Sequence, residues 1–157
     1  MSNKKPIQRN ENLVVFSHEH HHGLVFCTRL KKAGKTDKKT LTAFIKDFWE
    51  NDLSDHFERE ERILLPLIWD NEITKQFLVE HDQIKTRIQR ILNNKNITLV
   101  DDAITLSKLI NDHIRFEERT MFPWLEKVLT LEELRKVGEE LENKEVAAHN
   151  FSPEFWK

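Results

Sequence analysis

The stretch HFEREERILLP, from His56 to Pro66, returns as HIRFEERTMFP, from His113 to Pro123. Both read His-x-x-x-Glu-Glu-Arg-x-x-x-Pro, so five residues recur at the same offsets. Residues four apart on a helix share a face, one turn along, so His56 with Glu60 and His113 with Glu117 each set an imidazole beside a carboxylate. That is a metal-ligand geometry, and it occurs twice.

A second repeat sharpens the first. Glu19-His20 lies ahead of His56 and Glu80-His81 lies ahead of His113, each inside an amphipathic segment. The chain reads His, then His-x-x-x-Glu, in each of two halves, and each half supplies two helices.

Composition agrees with a helical reading. A chain of 157 residues suits one domain with a sizeable core. Three Gly and four Pro leave little material for turns, and 33% charged residues suit solvated helix faces, so the expected class is all-α. A net charge of −2 with both signs interspersed offers no basic stripe to a nucleic acid. The opening MSNKKPIQRNENLVVF lacks the apolar run of a signal peptide, and no window approaches a membrane span, so the expected location is cytoplasmic. Cys27 is the only cysteine, which rules out an internal disulfide; beside Leu24 on an apolar face it reads as core. The absence of Tyr excludes a tyrosyl radical within this chain.

Residues 1–10 are polar and read as a flexible arm. Helix one is expected from Glu11 to Lys32, with Leu13, Phe16, Leu24, Cys27 and Leu30 at helical spacing and His20 within that stripe. Gly34 stops it. Helix two is expected from Asp37 to Leu65, ended or kinked at Pro66, with Phe44, Phe48, Leu53, Ile63 and Leu64 on the side of His56 and Glu60. Asn71 caps helix three, which carries Ile73, Phe77, His81, Ile84, Ile88 and Ile91 up to the Asn93-Asn94 turn. Helix four starts near Thr98, with Asp101 and Asp102 at the positive end of its dipole, and runs to Pro123. Short connections make this an antiparallel up-down-up-down four-helix bundle over 11–127. A fifth helix, Leu131 to Glu142, and the tail NFSPEFW are expected to pack as a cap over 128–157.

Histidines near mid-helix converge at one level of such a bundle. Imidazole and carboxylate in these numbers suit two iron or manganese ions, since structural zinc sites favour cysteine. One ion would take His20 and His56, the other His81 and His113, with Glu60 and Glu117 bridging. A solvent-derived oxo or hydroxo bridge leaves a position for a small molecule such as dioxygen. Taken singly, a histidine on an apolar stripe is more often a hydrogen-bonded core residue; buried carboxylates one turn from a histidine, repeated across halves, tip the reading to metal. Within His18, His20, His21 and His22, His20 falls beside Leu13 and Cys27 and is preferred, with His21 in reserve. Glu61, Glu118, Arg62 and Arg119 read as a partly solvated face, and His149 as a surface histidine.

HEHHHGL around His20, HFEREERILLP, VEHDQI around His81 and HIRFEERTMFP resemble, in order, the four motifs of the hemerythrin-like family, the HHE cation-binding domain. The resemblance spans roughly Leu13 to Trp124. It implies a carboxylate-bridged, non-haem di-iron centre with His20, His56, Glu60, His81, His113 and Glu117 at the ligand positions, manganese or zinc being substitutes. Ferritin-like bundles differ, with Glu-x-x-His in place of His-x-x-x-Glu. Oxygen-carrying hemerythrins differ too. They place a second histidine four residues from the first in helix three, where this chain has Phe77 and Lys85, and an aspartate one position beyond Glu117. Redox turnover or sensing is therefore expected over stable oxygen carriage. The leading expectation is a protein binding or sensing a small oxidant (dioxygen, nitric oxide or peroxide) or iron. An oxidoreductase, or an interaction module with a structural metal, stands as the alternative.

Overall fold

The computed structural model describes residues 8–93, 98–141 and 150–157. Every regular element among them is helical. The first rod is α1 (Val14–Leu30), entered through a 3-10 turn at Glu11–Leu13. The second runs unbroken through α2 (Lys38–Phe48), a π turn (Trp49–Leu53) and α3 (Ser54–Leu64). The third is α4 (Glu72–Asn93). The fourth joins α5 (Leu99–Phe116), a second π turn (Glu117–Met121) and α6 (Phe122–Val128), and a shorter α7 (Leu131–Leu141) follows. Helix α5 packs against α1 and α4, α4 against α2, and α1 against α3, so each rod touches its two neighbours. This is the antiparallel four-helix bundle expected of four long amphipathic segments joined by short turns.

The starts follow side-chain chemistry. Asp37 accepts from the Thr40 amide at 2.7 Å, so it caps α2 rather than entering it. Asn71 accepts from Ile73 and Thr74 at 2.8 and 3.1 Å and caps α4 as expected. Pro66 lies in a 3-10 turn, Leu65–Leu67, that ends the second rod.

Pro123 does not end the fourth rod. The π turn hydrogen-bonds five residues back, Phe122 to the Glu117 carbonyl, and by that rule Glu118 would await the amide hydrogen that Pro123 lacks. The Arg9 guanidinium donates to that carbonyl at 2.6 Å, and the helix continues to Val128. Arg9 also donates to Glu126 at 3.0 Å, and the Asn10 amide to Glu126 at 2.6 Å. The described end of the expected flexible arm is thus fixed to the bundle by charge.

Two apolar clusters fill the interior. Phe26, Leu30, Phe44, Ile88 and Leu106 belong to one; Leu13, Phe16, Phe77, Phe122 and Leu125 belong to the other. On α1 the buried face runs Phe16, His20, Gly23, Phe26, Cys27, Leu30, while Leu24, expected in that stripe, is exposed. Asp102 is not merely a dipole partner: it is buried and accepts from Arg87 at 2.9 Å.

The expected single cap divides. Leu134, Val137 and Leu141 of α7 cover the cluster of Leu13 and Phe16. Phe151, Phe155 and Trp156 of the tail pack against the other cluster, around Phe44, with the Arg29 guanidinium 4.3 Å over the Trp156 ring. Each cluster has its own apolar edge to cover, so helix and tail separate. Asn94, Glu142 and His149 lie outside the described residues, as does the arm over 1–7. No helix among the described residues is long and apolar enough to cross a membrane.

Candidate metal centre

The six residues singled out by the repeat meet inside the bundle. His20, His56, Glu60, His81, His113 and Glu117 are all buried, and both carboxylates are 0% exposed. Helix geometry delivers them as the spacing predicts: Glu60 lies 3.2 Å from His56 and Glu117 lies 2.8 Å from His113, oxygen to Nε2, each across one turn. His20 Nε2 is 2.7 Å from Glu117, and His81 Nε2 is 3.2 Å from Glu60. His21, the reserve candidate, is exposed and belongs to neither set.

Two groups of four could each hold a metal ion: His20, His56, Glu60 and Glu117, and His81, His113, Glu60 and Glu117, the ligand atoms of each lying within 4.8 Å of one another. Both carboxylates belong to both sets. Each set thus holds one pair of imidazoles, and the two carboxylates are common to both.

The far nitrogen of every imidazole carries a second carboxylate. His56 Nδ1 lies 2.8 Å from Glu19, His81 Nδ1 2.8 Å from Glu61, His113 Nδ1 2.8 Å from Glu80, and His20 Nδ1 2.6 Å from Glu118. Each rod hands a carboxylate to the next rod's histidine, first to second, second to third, third to fourth, fourth back to first. Glu61 and Glu118 are partly solvated, as that face predicts, and they also hold His81 and His20. Glu19 and Glu80 mark the Glu-His repeat in the sequence, but nothing there assigns them to the histidines of the next rod. Arg62 and Arg119 remain outside, both exposed.

Phenylalanines wall the imidazoles. Phe57 stacks on His81 with ring centroids 3.9 Å apart, Phe122 on His20 at 5.4 Å, and Phe16 meets His56 edge-on at 5.8 Å. Phe77, one of the two residues four positions from His81, is fully buried and meets His81 at 4.2 Å. Such walls fix ring planes and exclude water.

The electrostatics ask for cations. Burial opposes charge on each imidazole, but the surrounding carboxylates win: His20 is held well above its ordinary value by Glu117, Glu118 and Glu60, and His81 is raised to about 10 by Glu117, Glu60 and Glu61. His56 and His113 are raised too, by Glu60 with Glu19 and by Glu117 with Glu80. Glu117, despite burial, is held well below the usual carboxylate range by His113, Glu60 and His20. Glu60, against both burial and the charge of Glu117, is lowered by His56 and His20. The Nε2 atoms of His20 and His113, Oε2 of Glu60 and both oxygens of Glu117 are buried without hydrogen-bond partners. Once each imidazole gives up its second proton, keeping Nδ1–H for the outer carboxylate, the Nε2 lone pairs and the inner oxygens converge on the same space as acceptors only. Cations fit it; the imidazole and carboxylate donors suit iron.

Fold and site together define a four-helix bundle with two internal His/Glu groups that could each hold a cation and that share both carboxylates. Residues 11–125 match the Hemerythrin HHE cation binding domain, and the chain belongs to that family. Metal binding follows from membership, iron being the usual ion. No curated protein sequence matches the chain, and no solved structure matches it.

Proposed function

We propose that the chain holds two iron ions, one at His20 and His56 and the other at His81 and His113, bridged by Glu60 and Glu117, and that the centre binds or senses dioxygen, nitric oxide or peroxide. The sharing of both buried carboxylates between two four-residue sets carries this reading. When bound, the iron supplies a reducible pair of Lewis-acidic centres. Protein residues do the rest: Glu19, Glu61, Glu80 and Glu118 hold the imidazole protons at Nδ1, and the phenylalanines keep bulk water away. Each ion receives four protein donors, leaving coordination for a small ligand.

Phe77 favours a second reading, turnover of the oxidant. It stands buried against His81, four positions away, and offers no nitrogen, so the neighbouring ion would have fewer nitrogens to stabilise a reversible adduct. Elemental analysis of protein purified without added metal should give two irons per chain. Exposing the reduced protein to oxygen then separates the readings. A coloured adduct reversed by removing the gas supports binding; repeated consumption of reductant supports an oxidoreductase; a colourless protein with less than one iron per chain ends both.

A further inference from the structure

The two ion positions have matching ligands but unequal surroundings. Glu118 and Glu19, partners of His20 and His56, each also accept from an arginine, Glu118 from Arg9 at 3.4 Å and Glu19 from Arg59. Both arginine side chains are nearly buried, at 7% and 8% exposure. Glu118 accepts in addition from the Ser17 hydroxyl at 2.7 Å. The partners of His81 and His113 are less compensated. Glu61 meets Lys85 at 3.5 Å, and that side chain is 38% exposed, where water screens its charge. Glu80 accepts from the neutral Gln76 amide at 2.8 Å, and among the described residues no lysine or arginine lies within ion-pair distance of it.

A carboxylate that accepts Nδ1–H pushes electron density through the imidazole to the metal, and it pushes less when a guanidinium already draws on its charge. Asp55 and Glu126 also bond Arg59 and Arg9, at 2.8 and 3.0 Å, and soften their field. Neither reaches an imidazole, so the difference in what the four histidines feel survives.

Resting on the paired-iron reading above, we infer that the outer carboxylates make the centre lopsided. Glu61 and Glu80 mark the His81–His113 position as the one that surrenders the first electron when a one-electron oxidant converts the diferrous centre to one ferrous and one ferric ion. Arg9 and Arg59 keep the His20–His56 position ferrous until the second electron leaves. The first oxidation is thus set by the carboxylate surroundings of His113 and His81, and a cation placed beside Glu80 will oppose it.

The test is a stepwise redox titration of the iron-loaded full chain, with iron content measured alongside, for wild type, Glu80→Gln and Gln76→Arg. Gln76 is exposed, so its replacement adds charge beside Glu80 without touching the core and decides the matter if Glu80→Gln folds poorly. In both variants the first step should become about tenfold harder, about 59 mV for one electron, with a clearly smaller change in the second. A first step unmoved in Gln76→Arg, or two steps moving together, overturns the inference while leaving two bound irons intact. Fewer than two irons in the wild type would remove the paired-iron reading and this inference with it.

Discussion

Glu60 and Glu117 have no contact with solvent, and a buried carboxylate persists only where paired charge offsets its lost hydration. Because each belongs to both metal groups, Glu60→Ala should empty both positions, whereas His56→Ala should weaken chiefly one; iron per chain, measured after gel filtration, distinguishes the two. Cys27 is at the other extreme. Buried at 3% exposure, its thiol is pushed up to about 12 by desolvation, so the native protein should resist a thiol reagent at pH 8 and react only once unfolded. Four of the six inner residues were legible because His-x-x-x-Glu aligns two donors without knowledge of any neighbour, and His20 and His81 because each falls within the apolar stripe of its helix. The histidine contacts of Glu61 and Glu118 were not, since a helix wheel sets these two about 100° from the inner carboxylates, on a partly solvated face that meets an imidazole only when the adjacent rod brings His81 or His20. The structure buries His20 on the face of Phe16 and Cys27 and leaves His21 exposed, although Leu24, expected in the same stripe, faces outward.

At the level of elements, periodicity revealed four rods but not the π turns within two of them. Five residues of altered hydrogen bonding leave no mark on an apolar pattern, and Pro123 in isolation reads as a stop. What carries the fourth rod past Pro123 comes from far away in sequence, the Arg9 guanidinium on the Glu118 carbonyl. Arg9→Ala should leave that carbonyl short of a partner and cost about 1–3 kcal/mol in urea unfolding, while Arg9→Lys should recover part of it. Helix α7 depends on close approach instead. A Cβ at Gly138 would stand 2.1 Å from Oδ1 and 3.1 Å from Cβ of Asn12, so any side chain there must displace Asn12 from the Glu11–Leu13 turn on which α7 sits. Gly138→Val should displace the helix and destabilise the fold by about 1–3 kcal/mol, with Leu13 and Phe16 gaining solvent in hydrogen-exchange measurements.

Across the whole molecule, a charged layer lies among the apolar clusters, and its stability depends on what occupies it. In metal-free protein the four imidazoles have folded pKa values above the unfolded 6.5, so their protonation stabilises the fold fully below about pH 6.5 and ceases to do so as pH rises through the folded values, which for His81 reach about 10. The carboxylates run the other way. Glu19, Glu60, Glu61, Glu117 and Glu118 have folded values below 4.5, so their contribution is present above about pH 4.5 and is lost as acid protonates them. Metal-free stability should therefore be highest between about pH 4.5 and 6.5 and decline steadily toward pH 10. Bound cations remove the need for protons on the imidazoles, so iron-loaded protein should lose that alkaline decline, and it should fail more steeply in acid because protons and metal compete for the same lone pairs. Thermal melts across pH 4 to 10, with and without a chelator, measure both curves. A metal-free curve that is flat or rising between pH 6.5 and 10 would mean that the imidazoles do not replace the missing cations with protons, and the electrostatic account of this layer would have to be abandoned.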